Sequence, residues 1–442
     1  MTPPIFNDLK NKSFQNRFDT AEIRIEKLKN LQTWIKNHET EICQSLKTDF
    51  NKPEFETQVS EILIVQSELK YFIQNLKLWM KDQSVSTPLT LIGHKSLIRF
   101  ENKGVVLIIS PWNYPFQLAI NPLIAAIAAI AAGNTVVIKP SELTPATSNL
   151  IFELCKAIFE NDVAVELGDK DKTTELLNYK FDHVFFTGST AVGRIIATKC
   201  AEKLIPYTLE LGGKSPLIID ETADLDDAVK KIHWAKYLNR GQTCVAPDYI
   251  LIQKNIYSEF LNKYKNHSEA FKNDNFSHII TERHELRLTE MTGSALKSTE
   301  LIAVKDLTHP LMQDEIFGPV SPVLSFDHID DAVKITKKHP DPLAFYIFSK
   351  SDSNIDDFLR KIPSGGAAIN AISVHLGNHH LPFGGRGSSG QGRYHGHFGF
   401  LEFSHQRAVI RQYFFSQITQ LIFPPYTPFK NKILKILKLI NS

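Results

Sequence analysis

Three side chains whose types suit covalent catalysis stand far apart in this sequence, and the first of them is Cys244. It ends the run NRGQTC, a polar stretch with one glycine that follows a helical pattern. A turn there can hold the thiol away from bulk packing and beside backbone N–H groups, which suits a nucleophile. A free cysteine is more often an inert small apolar residue, so Cys244 by itself predicts little.

Glu210 and Asn113 are the groups that such a nucleophile needs. Glu210 stands in LELGGKSP, where two glycines allow close backbone approach, and a partly buried glutamate can act as a base near neutral pH. Asn113 stands in PWNYPF after an apolar strand pattern, and its amide can stabilise negative charge on a carbonyl oxygen. The ordinary alternatives are a surface glutamate at a strand end and a turn asparagine that bonds backbone.

The motifs around these residues resemble the aldehyde dehydrogenase superfamily in order and spacing. LELGGKSP, GQTC, PWNYPF and EIFGPV, the last with Glu315, carry the resemblance, and FFTGSTAVG, LPFGG, YHG and FSHQR are most similar to the class 3 or fatty aldehyde dehydrogenase branch. The resemblance implies an α/β fold with a Rossmann-type parallel-sheet cofactor domain, an α/β catalytic domain and a β bridging or oligomerisation element. It also implies a homodimer that oxidises medium- or long-chain aliphatic or aromatic aldehydes with NAD or NADP.

The implied mechanism begins with thiolate attack by Cys244, with the oxyanion held by Asn113, and ends with hydrolysis of a thioester by water that Glu210 activates. Two alternatives remain. A CoA-acylating relative would release the thioester to a thiol and would not need Glu210. A catalytically silent binding or structural homologue would be expected to have lost one of the three residues, and none is lost.

The prediction of the cofactor rests partly on sequence pattern and partly on the resemblance. FTGSTAVG lies where a strand passes into a helix, and N–H groups at a helix start favour phosphate, although the run is not the full GxGxxG fingerprint. A carboxylate at Glu142 suits ribose hydroxyls and repels a 2′-phosphate, so NAD is favoured and NADP stays possible. The residues that the resemblance implies for the dinucleotide are Lys139, Glu142, Thr187, Gly188, Ser189, Gly193, Leu211, Glu315 and Phe317.

Composition limits the class of protein. A chain of 442 residues predicts two or three domains, and a net charge of +2 gives no reason to expect nucleic acid as a partner. Four cysteines without a CxxC pair, and no secretion signal, predict a reducing, cytoplasmic compartment. No metal is predicted, because the late histidines lack the spacing of a zinc site: His375, His379, His380, His395 and His397.

Periodicity predicts the order of the elements. Helices are expected over 18–82, a hairpin over 84–103, alternating strands and helices over 105–203, including a buried helix over 118–132, and a second α/β segment from 215 onwards. Residues 400–413 are expected to form a strand. The predicted division is a dinucleotide-binding domain (1–85 and 105–209), a catalytic domain (210–396), a bridging element (86–104 and 397–422) and an amphipathic tail (423–442).

Two segments depart from the resemblance. Residues 268–310 are shortened, which we expect to change a surface of the catalytic domain and none of the site positions. In the tail, an apolar arc and three lysines, Lys432, Lys435 and Lys438, predict a helix too short and too charged to span a bilayer. Docking on protein is favoured for this helix, and peripheral contact with an anionic membrane is the alternative.

Overall fold

The computed structural model describes residues 4–128, 134–271, 275–294, 299–413 and 423–440. A π-helical turn, Gln58–Ile62, joins two of the helices. In chain order the helices are α1 (Pro4–Gln15), α2 (Ala21–Asn37), α3 (Glu39–Phe50), α4 (Glu54–Thr57), α5 (Leu63–Trp79), α6 (Gln117–Ala128), α7 (Pro145–Phe159), α8 (Lys170–Leu176), α9 (Thr190–Ala201), α10 (Leu225–Tyr237), α11 (Tyr257–Ala270), α12 (Glu282–Thr292), α13 (Ile329–Thr336), α14 (Asp352–Lys361), α15 (Gly396–Glu402) and α16 (Pro428–Ile440).

The strands of the described residues form three sheets. In chain order they are β1 (Gln83–Val85), β2 (His94–Asn102), β3 (Val105–Ile109), β4 (Thr135–Lys139), β5 (Val163–Val165), β6 (His183–Thr187), β7 (Tyr207–Glu210), β8 (Pro216–Ile219), β9 (Tyr249–Gln253), β10 (Glu300–Ala303), β11 (Val320–Phe326), β12 (Ala344–Phe348), β13 (Gly366–Ile369), β14 (Gly390–Gln391) and β15 (Ser404–Gln412).

The first sheet has the order β14-β7-β6-β3-β4-β5, and its strands are parallel except β14, which runs antiparallel to β7. β3, β4 and β6 are buried along their whole length, as expected for a sheet covered on both faces. From β3 the chain moves to β4 and β5 on one side and returns to β6 and β7 on the other. The carboxyl ends of β3 and β6 therefore border a crevice at a topological switch point, where ligands bind in such folds.

The second sheet, β10-β11-β9-β8-β12-β13, is parallel throughout. β8 follows β7 after a short connection that contains Gly212 and Gly213, so Glu210 stands at the junction between the two sheets. The alternating pattern predicted for residues 105–203 and the second α/β segment are confirmed. The Rossmann-type α/β fold class is confirmed with them.

The third sheet, β1-β2-β15, is antiparallel and largely exposed. Its last strand begins at Ser404, so the strand predicted from Phe400 is wrong over its first residues, which belong to α15. Phe400 and Phe403 are fully buried in one core with residues of α5 and α6. Their spacing of three positions suits a helix face, and burial against two helices decided the conformation.

Other boundaries moved by a few residues. The helix predicted over 118–132 is seen as Gln117–Ala128, and its positions 129–132 lie outside the described residues. Residues 414–422 of the predicted bridging element and 441–442 of the predicted tail also lie outside the described residues. Helix α12 lies within the segment expected to be shortened. In the described part of the chain, no helix has both the length and the apolar character needed to cross a membrane.

Candidate active site

Cys244 follows a turn of unusual backbone conformation. Asn239, Arg240 and Gly241 have φ of 48°, 53° and 72°, so three successive residues are left-handed. Gly241 also lacks space for a side chain, because a Cβ there would lie 2.2 Å from the carbonyl oxygen of Gly318. The turn brings Cys244 to the wall of a cavity of about 250 Å³, which Glu210 and Asn113 also line. Three residues from separate parts of the sequence thus meet at one cavity.

Glu210 ends β7 and is 3% exposed. Its backbone oxygen accepts from Gly188 N–H at 3.0 Å, but neither carboxylate oxygen has a hydrogen-bond partner among the described residues. Burial raises the pKa of this carboxyl well above its usual range, Arg393 opposes the rise, and Glu402 adds to it. A buried carboxylate without partners is costly, and it is available to take a proton from a group that enters the cavity.

The Cys244 thiol is protonated at neutral pH in this structure. Burial, followed by the negative charges of Glu315 and Glu210, raises its pKa from 9.0 to about 12, and the backbone N–H groups of Cys244 and Val245 act in the opposite direction. A nucleophilic role therefore requires a base or a local positive charge at the moment of attack.

Asn113 is tied to the nucleophile turn. Its side-chain nitrogen donates to the carbonyl oxygen of Gln242 at 3.0 Å, and the Asn239 amide donates to the carbonyl oxygen of Asn113 at 2.7 Å. The neighbouring Tyr114 hydroxyl pairs with Thr243 Oγ1 at 2.6 Å. A side-chain amide has two N–H donors, so Asn113 keeps one for a ligand in the cavity that it lines.

Six of the nine predicted cofactor residues line this same cavity: Thr187, Gly188, Ser189, Leu211, Glu315 and Phe317. Ser189 caps α9, because its hydroxyl accepts from Val192 N–H at 3.4 Å. A seventh, Gly193, lets α9 approach Leu211, since a Cβ there would lie 2.7 Å from Leu211 Cδ2. These residues place a helix N-terminus at the edge of the cavity.

Two orphaned hydroxyls test whether a dinucleotide fits. Ser110 and Thr187 follow or end the neighbouring strands β3 and β6, and both are buried. Within the described residues, neither hydroxyl has a hydrogen-bond partner. Together with the N-terminus of α9, they suit the hydroxyl and phosphate groups of a nucleotide.

The remaining two, Lys139 and Glu142, lie away from the residues that line this cavity. Lys139 ends β4, is 3% exposed, and its Nζ donates to Glu142 Oε2 at 2.6 Å. Because β4 is the neighbour of β3 in the sheet, the pair stands next along the same row of strand ends. The sequence predicted both residues as ribose contacts, and the structure adds that they bind each other.

Glu315 packs against a glycine on the floor of the cavity. A Cβ on Gly212 would lie 2.3 Å from Glu315 Oε2, so only glycine leaves room for this carboxylate. Burial and then the charge of Asp248 raise the pKa of Glu315 from 4.5 to about 8, while Gly213 N–H opposes the rise. At neutral pH this carboxyl is largely protonated and can donate as well as accept a hydrogen bond.

Trp112, His284 and Arg287 are among the residues of the cavity wall that were not predicted as site residues, and the last two lie on α12. The Trp112 ring contacts Phe317 and His284, with centroid distances of 5.4 and 5.3 Å. Arg287 donates to the carbonyl oxygens of Glu315 at 3.2 Å and Ile316 at 2.6 Å. The expectation that the 268–310 segment affects only a surface is therefore wrong.

Local signals for α12 were present in the sequence. The Thr281 side chain caps its first turn, and Gly293, with φ of 73°, ends it. A cap residue followed by a terminal glycine is a helix signature, but the face that such a helix buries cannot be read from its ends. Among the late histidines, His379 has its Nδ1 2.5 Å from Glu68 Oε2, a contact between its loop and α5. In the part of the chain that is described, no cluster of three or more acidic, histidine or cysteine side chains could hold a metal ion.

Comparison with known proteins agrees with this geometry. The model of the "Aldehyde dehydrogenase family" matches residues 15–278 and 277–409, and the break falls inside the departing segment 268–310. The 4,4'-diaponeurosporen-aldehyde dehydrogenase of Staphylococcus aureus is 40% identical over 90% of this chain and 92% of its own length. The dimeric NADP-preferring aldehyde dehydrogenase of Canis lupus familiaris is 39% identical over 88% and 90%. The substrate-bound structure of Staphylococcus aureus AldH has a TM-score of 0.94 and 37% identity, covering 99% of this chain and all of that one.

Proposed function

The chain belongs to the aldehyde dehydrogenase family, and we propose how its residues divide the NAD(P)-dependent oxidation of an aldehyde to a carboxylic acid. Cys244 passes its thiol proton to solvent water in the open cavity and then attacks the aldehyde carbon as the thiolate. The second N–H of Asn113 and the backbone N–H of Cys244 hold the oxyanion that forms. Glu210 removes a proton from the water that hydrolyses the resulting thioester.

The observation that carries this proposal is the meeting of Cys244, Glu210 and Asn113 at one cavity, with the Glu210 carboxylate unpartnered among the described residues. Burial raises the pKa of Glu210, which makes its carboxylate a stronger base. When bound, the nicotinamide ring supplies the acceptor for the hydride that leaves the substrate carbon.

The residues proposed to hold the dinucleotide follow the strand ends. Thr187 and Ser189, with the N-terminus of α9, would hold the pyrophosphate. Glu315 and Phe317 would hold the nicotinamide ribose and ring, and the Lys139–Glu142 pair the adenosine ribose. The Glu142 carboxylate would repel a 2′-phosphate, so we propose a preference for NAD, which the ratio of kcat/KM for NAD and NADP measures.

An apolar aldehyde of medium or long chain, aliphatic or aromatic, is the proposed substrate class. Leu376 and Phe383 belong to the same apolar cluster as Cys244, which supports an apolar substituent on the reacting carbon. A relative named for 4,4'-diaponeurosporen-aldehyde is consistent with this class.

A homodimer and a cytoplasmic location complete the proposal. The exposed three-stranded sheet supports association, because its edge strands β1 and β15 leave backbone groups that another chain can pair with. One relative is named as dimeric. The four cysteines are free, which supports a reducing compartment.

The test is NADH formation from octanal, a medium-chain aldehyde, with wild type and Cys244→Ala, each with and without CoA. We expect turnover without CoA, no acceleration by CoA, and no turnover by Cys244→Ala although it still binds dinucleotide. Turnover that requires CoA would make the chain an acylating enzyme. Residual activity of Cys244→Ala would remove this residue from the nucleophile role.

A further inference from the structure

The left-handed turn before Cys244 needs an explanation, because side chains with a Cβ disfavour this conformation. Asn239 and Arg240 adopt it in succession, with ψ of 26° and 37°. Such a conformation persists only where the surroundings over-determine it. The contacts of Asn239, which is fully buried, are therefore the place to look for what holds the turn.

Asn239 is held on both its backbone and its side chain. Its backbone N–H donates to Glu56 Oε1 at 2.7 Å. Its side-chain amide donates to the carbonyl oxygens of Asn113 at 2.7 Å and Gln242 at 3.1 Å. One residue thus joins Glu56 to the segments that carry Asn113 and Cys244.

The π-helical turn Gln58–Ile62 begins two residues after Glu56 and contains a second buried glutamate, Glu61. In a regular α-helix, residues five positions apart diverge by about 140°. In the π turn Leu63 N–H bonds to the carbonyl oxygen of Gln58, and such an i→i+5 turn brings residues five apart toward one side. Glu56 and Glu61 are both buried, 5% and 0% exposed.

The two glutamates contact different parts of the site. Glu61 accepts from Lys52 Nζ at 2.7 Å and from Gln117 N–H at 2.8 Å, and the Lys52 ammonium lies 4.0 Å from the centre of the Tyr114 ring. Glu56 accepts from Asn239 and, more weakly, from the Ser277 hydroxyl at 3.4 Å. Glu61 therefore supports the segment after β3, and Glu56 supports the nucleophile turn.

We propose that Glu56 is a positioning residue for the reaction: by fixing the Asn239 backbone N–H, its carboxylate sets Cys244 and Asn113 relative to each other. The proposal rests on the proposed function for the roles of those two residues. Glu56 touches neither of their reacting groups and acts only through Asn239. A misplacement of the nucleophile by about 1 Å can cost 10²-fold in rate, so a distant anchor has a measurable effect.

The experiment compares Glu56→Ala, Glu56→Gln and Glu56→Asp with Glu54→Ala, a control at an exposed glutamate of the same helix. The main readout is the rate constant of the NADH burst in a single turnover, together with KM and dinucleotide affinity. We expect Glu56→Ala and Glu56→Asp, which cannot reach Asn239, to lower this rate constant by about 10- to 100-fold with dinucleotide affinity unchanged. Glu56→Gln keeps an acceptor oxygen and should stay near wild type, as should Glu54→Ala.

A merely structural role gives a different result. It would lower the melting temperature and the burst amplitude, while the folded fraction kept the wild-type burst rate constant. That outcome overturns the proposal. If Glu56→Ala does not fold, Glu56→Asp decides instead, and a wild-type burst rate constant in Glu56→Asp also overturns the proposal.

Alkylation of Cys244 by iodoacetamide, followed by mass spectrometry, tests the turn without catalysis. Loosening the turn should admit water to the thiol and lower its raised pKa, so alkylation of folded Glu56→Ala should be faster than that of wild type. A wild type without any burst would refute the proposed function, whereas unchanged alkylation would refute the role of Glu56.

Discussion

At the scale of single residues, two buried carboxyl groups at the cavity lower the stability of the fold and are placed where they can take part in the proposed reaction. Glu210 and Glu315 both line the cavity, and burial raises the pKa of both. Glu210 has no hydrogen-bond partner among the described residues, whereas Glu315 is packed against Gly212. The two positions therefore give separate predictions, one for kinetics and one for stability.

Glu210→Gln should separate the two halves of the reaction. The amide cannot accept a proton, so we expect a burst of NADH of about one equivalent per site, followed by a steady state lowered by about 10² to 10⁴. Stopped-flow fluorescence of NADH measures both phases. If the burst disappears together with the steady state, Glu210 acts in the first half-reaction, for example by deprotonating Cys244.

Glu315→Gln should stabilise the ligand-free protein in a pH-dependent way. The folded pKa is raised from 4.5 to about 8, so the stability that this carboxyl contributes is complete below pH 4.5 and is lost as pH rises to 8. Glutamine has no such loss. Because the side chain is only partly withdrawn from water, we expect a gain of about 1–3 kcal/mol at pH 8 that shrinks towards pH 5.

Urea unfolding at pH 5, 6, 7 and 8 measures this gain. A difference between Glu315→Gln and wild type that does not change with pH would contradict the assignment of the raised pKa to Glu315.

At the scale of elements, α12 acts as a wall of the site although its segment departs from the family pattern. Leu288 is fully buried on it, and Arg287 bonds two successive carbonyl oxygens before Phe317, whose φ is 50°. The helix thus supports a segment whose backbone is disfavoured for a phenylalanine. We therefore predict that α12 contributes to dinucleotide binding rather than to the attack on the aldehyde.

Arg287→Ala should weaken binding of the dinucleotide by about tenfold. A hydrogen bond from a charged group contributes about 1.5–3 kcal/mol, and a tenfold loss of affinity requires that about 1.4 kcal/mol of this reaches the bound state. Arg287→Lys should restore little, because an ammonium cannot span both carbonyl oxygens as a guanidinium does. Isothermal titration calorimetry measures the affinity. Arg283→Ala, at an exposed arginine of the same helix, is the matched control, and equal losses in both variants would contradict this role.

At the scale of the whole molecule, apolar surface remains exposed at the C-terminal end of the chain. Tyr426, just before α16, is 74% exposed, and Phe429, in the first turn of α16, is 67% exposed. The described residues of α16 carry four lysines and no acidic side chain. A chain that leaves such a helix uncovered would tend to associate, so docking on protein, at the second subunit or at the aldehyde entrance, remains our prediction.

Truncation after Phe423 should leave an active enzyme that stays in solution, with weaker dimerisation or a changed preference for aldehyde chain length. Analytical ultracentrifugation and kcat/KM for a series of aldehydes measure the two effects. Co-sedimentation of the full chain with anionic vesicles, absent in a truncated form that keeps wild-type kinetics, would instead favour a membrane-surface role.

Local sequence determined the element types and the identities of the reactive groups. The sequence predicts β3, β4 and β6 as strands because their apolar runs are short and end at polar residues or glycine. It predicts α16 as a helix because its apolar and lysine positions alternate with a helical period. Cys244, Glu210 and Asn113 each predict little alone, and they were recognisable because their motifs resemble the aldehyde dehydrogenase family in order and spacing. The signals for the elements lie within about ten residues, which is the range over which periodicity and turn chemistry act.

Tertiary structure alone decided what those groups experience. Three features depend on which surfaces become buried against each other. They are the lack of a hydrogen-bond partner for the Glu210 carboxylate among the described residues, the ion pair between Lys139 and Glu142, and the wall formed by α12. The same holds for the end of α15, where residues 400–402, expected at the start of a strand, are helical and Phe400 packs in the core. Burial and desolvation are properties of the packed chain and join residues far apart in sequence, so no local pattern specifies them.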